Sequence, residues 1–117
     1  MRSITFAPDE LVLLIISLVR TTHPSMLRQE SDGFAIDFEL LDKKKVLTED
    51  ERLLFKVRAV MDSADAQPSR IMHVNEDECV RLVAALVQLQ KLQAWPADVL
   101  EMCRNLRSRL STPLSGA

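Results

Sequence analysis

The chain is short of the residues on which several chemistries depend. Two glycines in 117 residues leave little backbone able to wrap a phosphate, and GxGxxG and Walker-type loops are absent. There is no tyrosine and turn signals are sparse, so a turn-rich β-sandwich or barrel is disfavoured. The two cysteines, Cys79 and Cys103, show no CxxC pair and no framework of spacings. They read as small buried residues in a reducing cytosol, which places the protein in the cytoplasm. Excess charge is missing too. A net charge of −2 provides no general field for nucleic acid or anionic lipid.

What is present favours helices. Hydrophobic residues make up 47% and charged residues 27%, enough for one globular domain with a real core. Abundant Leu, Val, Ala, Arg and Glu suit helices. The most informative stretch is DELVLLIISLVR, residues 9–20. At about 1.5 Å of rise per residue, its apolar part spans roughly 14 Å, about half a bilayer core. A signal peptide is also disfavoured, because Asp9 and Glu10 precede the run and Arg20-Thr21-Thr22-His23-Pro24 follows it. The flanks instead punctuate a helix from Pro8 to Thr22, with acids at its start and Arg20 at its end.

That helix is apolar on every side. Leu11, Leu14, Ile15 and Leu18 share one face and Val12, Leu13, Ile16 and Val19 fill the other, so the helix must be surrounded. Either the remaining helices wrap it or a second copy covers one face. On the second alternative Val12, Leu13 and Ile16 are the interface residues.

Further along, Asp32-Gly33 marks a turn, and Phe34, Ile36, Phe38 and Leu40 alternate as in a strand over 34–41. Phe34, Phe38 and Leu41 also fit a helix. The strand is preferred, and the run at Ile71-Met72-His73-Val74 is its expected partner. Thr48 with Glu51, and Asn75 with Glu78, have the spacing of capping boxes opening a second and a third helix. The second is expected to end near Ala64, before a polar loop closed by Pro68. Trp95-Pro96 breaks the third helix, and Pro96 is expected at the first position of a fourth. Lys43-Lys44-Lys45 reads as a solvated run. The expectation is a mainly α, four-helix single domain over residues 1–111, with a small two-stranded β element in the order α-β-α-β-α-α. A flexible tail, 112–117, follows it.

Motifs for chemistry are weak. Gly33 and Glu39 have the spacing of an EF-hand loop, but Arg28 stands at the first ligand position, where a carboxylate is needed. His23, His73 and the cysteines lack zinc-site spacing. GxSxG and HExxH are absent, and acid runs such as Glu49-Asp50-Glu51 are explained by helix starts. No cofactor or metal is expected. The sequence reads as a non-catalytic protein-interaction module, a self-associating adaptor or regulatory subunit whose partner is a protein or itself, without membrane contact. One alternative is a helix-turn-helix-like nucleic-acid regulator using Arg104, Arg107 and Arg109 of the last helix. Asp98 and Glu101 at the end that usually enters the groove oppose that alternative. A small enzyme whose groups converge only in the fold is the other.

Overall fold

The computed structural model describes residues 2–30, 33–62, 70–92 and 95–111. Strand β1 (Arg2–Phe6) precedes helix α1 (Pro8–Thr22), whose limits are those the flanking prolines and acids predict. A turn of 3-10 helix at Pro24–Met26 leads into β2 (Leu27–Glu30), which pairs antiparallel with β3 (Gly33–Ile36). A single helical turn, α2 (Glu39–Asp42), precedes α3 (Glu49–Met61), β4 (Arg70–Val74), α4 (Glu76–Leu92) and α5 (Ala97–Ser111). The fold is mainly α, with four main helices and two small two-stranded antiparallel sheets.

Strand pairing differs from the sequence expectation. The 70–74 run pairs with β1, not with 34–41. In β1 Ile4 and Phe6 point inward while Ser3 and Thr5 face out, and in β4 Met72 and Val74 are buried while Ile71 and His73 are exposed. The register sets Ile4 opposite Met72, so both inward rows meet the core together. The 34–41 segment follows each rival reading in turn. It is extended to Ile36, and then Asp37 Oδ1 accepts the Glu39 N–H at 3.0 Å and starts α2. The element order therefore gains β1, β2 and the short α2 relative to the expected one.

Two helix limits shift as well. Helix α3 stops at Met61, where Asp62 N–H bonds to Arg58 O. The loop expected after it falls mostly in 63–69, outside the described residues, as does the 112–117 tail. Pro96 lies one place ahead of α5, its carbonyl accepting the Leu100 N–H at 3.1 Å. Trp95 closes α4 by donating its indole N–H to Leu89 O at 2.7 Å.

Helix α1 is the centre of the core, packed by α3 and α4 and touched by α5. Leu11, Leu13, Leu14, Ile15, Leu18 and Val19 are buried within one chain. Each such side chain contributes about 1.5–3 kcal/mol by leaving water. Between its ends, the stripe of Val12 and Ile16, continued by Asp9 and Arg20, is the side of the apolar run that reaches solvent. Ser17 is buried among them because its hydroxyl donates to Leu14 O at 2.8 Å, which satisfies it inside the helix.

The first-turn glutamates of α1, α3 and α4 tie these helices together. Glu10 accepts the Ala7 N–H, Glu51 the Thr48 N–H and Glu78 the Asn75 N–H, each at the third helical position. Thr48 and Asn75 return the bond through their side chains, completing capping boxes that alanine cannot complete at position 7. Each glutamate also takes a cation from another element: Arg109 of α5 on Glu10, Lys44 on Glu51 and Lys56 of α3 on Glu78. Local helix starts thus become tertiary contacts.

Candidate interaction surfaces

The most concentrated polar site is built on Glu51, a carboxylate only 1% exposed. Lys44 Nζ donates to both of its oxygens, at 2.9 and 2.8 Å, and His23 Nε2 lies 3.0 Å from Oε2. Thr48 N–H donates to Oε1 at 2.8 Å. Chiefly the Lys44 contact, then the Thr48 amide, hold the carboxyl down to about 2 from 4.5, against the opposing effect of burial. Glu51 is therefore an anion that clamps the end of α1 and the loop after α2 onto the start of α3. The capping role of Glu51 is legible in the sequence. Its lysine and histidine are not, because Lys44 stands in a charge run that looks solvated and His23 is 28 residues away.

A second polar cluster joins α3 to α4. Arg81 reaches Asp77 at 2.8 Å and Asp50 at 3.0 Å, and these two carboxylates raise its affinity for the proton. It borders an open groove of about 290 Å³ floored by Leu18, Ala84 and Ala85 and rimmed by Thr21, Thr22 and Gln88. Both charges of this groove are matched inside the chain.

The outer edge of the β1–β4 pair is asymmetric. Arg109 Nη1 donates to Thr5 O at 2.9 Å, so this carbonyl points away from β4. Thr5 opposite Ile71 and Ser3 opposite His73 are accordingly the non-hydrogen-bonded pairs, in which side chains approach most closely. Ser3 Oγ and His73 Nδ1 are in fact hydrogen-bonded at 2.8 Å. On β4 the same parity turns the backbone groups of Ile71 and His73 outward. Among the described residues no backbone group pairs with them, and Ile71 is 60% exposed.

The residues singled out in α1 separate. Leu13 is buried within its own chain at 7% exposure, Ile16 is partly buried against the core, and Val12 is 42% exposed. Leu13 therefore belongs to the fold, whereas Val12 and Ile16 share the solvent stripe. The arginines of α5 separate too. Arg109 is bound to Glu10 and Thr5 and lies over the Phe6 ring, 5.8 Å from its centre. Arg107 donates to Gln90 Oε1 at 2.9 Å, and Arg104 is exposed. They do not form one three-arginine surface.

Among the described residues no group of three or more His, Cys, Asp or Glu side chains is placed to hold a metal ion. Arg28, at the first position of the EF-hand-like spacing, pairs with Asp37 at 3.4 Å. Cys79 and Cys103 are free and buried. No described helix is long and apolar enough to cross a membrane. The fold defines a mainly α domain with two small antiparallel β-ribbons. No protein-family model, curated protein or solved structure matches the chain.

Proposed function

We propose that this protein is a small non-catalytic interaction module of the cytoplasm that self-associates by setting β4 of one copy against β4 of another. The observation that carries this reading is the outer edge of β4 at Ile71 and His73, where no backbone group of the described residues pairs and Ile71 is exposed. Sheet edges are normally blunted by charge, proline or a covering element, as β1 is by Arg109 on Thr5 O. Helix α3 packs near β4 and Arg70 donates to Val60 O at its end, but no described backbone group pairs with the β4 edge at Ile71 and His73, and Ile71 is exposed. A two-fold axis through Met72 sets Ile71 of each copy opposite His73 of the other. The outward N–H and C=O groups then meet as hydrogen-bonded pairs in a self-complementary interface. The product is a four-stranded sheet in place of two marginal ribbons. Two buried free cysteines accord with a reducing compartment.

Light scattering on a sizing column over about a hundredfold range of concentration tests this. The expected result is a dimer for the natural chain and a monomer of unchanged helicity for Ile71→Lys, whose side chain stands outside the core. A natural chain that stays monomeric throughout, or a dimer indifferent to the lysine, overturns the reading.

A further inference from the structure

The groove between α4 and α5 lies on a different surface. It is open, about 440 Å³ in volume, and lined by Val83, Arg104, Arg107, Ser108 and Ser111. The α5 residues recur at the spacing of one helical face, and Val83 shares its α4 face with Val80, which is 62% exposed, and Val87. One wall is thus basic and hydroxylated and the other is a valine stripe.

Among the described residues the charges of this groove meet no carboxylate. Arg28, Arg52, Arg58, Arg81 and Arg109 each meet a carboxylate. Among the described residues Arg104 and Arg107 meet none, and the one hydrogen bond on Arg107 goes to a neutral amide. Glu101 stands one turn before Arg104 on α5 and is not paired with it among the described residues. Two guanidinium groups about a helical turn apart, beside the half-buried Val83 and the exposed Val80, complement a ligand that brings carboxylates and apolar side chains together.

We propose that this groove docks an acidic amphipathic helix of a protein partner. Its Glu or Asp side chains pair with Arg104 and Arg107, and its apolar row lies along Val80 and Val83. Nucleic acid is the poorer fit. Phosphate binding draws on a dense positive field, whereas the chain carries net charge −2 and α5 itself bears Asp98 and Glu101. The apolar surface of Val80 and Val83 adds nothing to phosphate recognition. The proposal shares with the preceding reading only the premise of an interaction module, and it does not require the dimer.

Selection of a random peptide display library on the full chain, with counter-selection on the Arg104→Glu/Arg107→Glu variant, tests it. The expected winners carry Glu or Asp with apolar residues three and four positions apart. Synthesised, they lose at least about tenfold in affinity on the double variant and on Val80→Asp, while circular dichroism of both variants is unchanged. Repeating the titration on Ile71→Lys is expected to leave affinity unchanged, so this proposal and the dimer succeed or fail separately. Winners without acids, winners that bind the double variant equally, or no winners at all overturn the proposal. So does a duplex oligonucleotide that binds at low salt and is released by the double variant in the absence of peptide selection, which assigns the arginines to phosphate instead.

Discussion

Lys44 reaches both oxygens of the Glu51 carboxylate, and the lysine is 41% exposed while the glutamate is 1% exposed. The ammonium brings its charge in from solvent while the carboxylate is wholly enclosed. Desolvation of Glu51 is offset only while its donors stay in place.

Lys44→Ala is therefore expected to cost about 1.5–3 kcal/mol in urea unfolding at neutral pH, as for loss of a hydrogen bond to a charged group. The pH dependence has a definite sign. The folded carboxyl sits near 2, below its ordinary 4.5, so its stabilisation is complete above 4.5 and disappears as pH falls toward 2. The difference between the natural chain and Lys44→Ala should shrink across that interval. A constant difference down to the acid limit would assign the lysine to packing alone.

On α1, neighbouring residues should behave oppositely. Leu13→Ala removes a buried side chain and is expected to cost about 2–4 kcal/mol. Val12→Ala, on the solvent stripe, should stay within about 0.5 kcal/mol. Equal losses, measured by thermal or urea unfolding, would contradict the placement of the stripe.

Arg109 joins the end of α5 to the start of α1 through Glu10 and caps the β1 edge at Thr5. Arg109→Ala should lower stability by about 1–2 kcal/mol. Amide exchange, read by mass spectrometry, should accelerate in β1 before it does in α4. Uniform acceleration would mean that the arginine acts on global stability alone.

The thiols give a fourth check. Burial raises the proton affinity of Cys103 above its ordinary value, with Arg107 drawing it the other way, and Cys79 is buried as well. A thiol-specific reagent at neutral pH is expected to leave both unmodified in the folded chain and to titrate both in denaturant. Rapid labelling of the folded chain would show that the core around α5 opens.

Helix α1 is legible in the sequence residue for residue because its determinants are neighbours: Pro8, two acids, a nearly continuous apolar run, Arg20 and Pro24. The capping boxes at Thr48 and Asn75 were legible for the same reason, each being complete within four residues. Strand β1 is not legible in the sequence although Ile4 and Phe6 alternate with Ser3 and Thr5. Five residues are too few for periodicity to stand out, and the strand is defined by pairing with residues about 70 positions away.

Composition and local order by themselves determined the helical class, the central helix and the helix starts, since these follow from backbone propensity, capping and the period of apolar residues. Only the tertiary structure decided that β4 pairs with β1, that Lys44 and His23 converge on Glu51, and that Leu13 is core while Val12 is surface. It alone showed which arginines of α5 meet a carboxylate. The physical reason is range. Within the apolar run of α1 the residues themselves do not distinguish the side left to solvent, which is marked only at the ends by Asp9 and Arg20, and an ion pair between distant residues exists only after packing has brought its partners together and excluded the water between them.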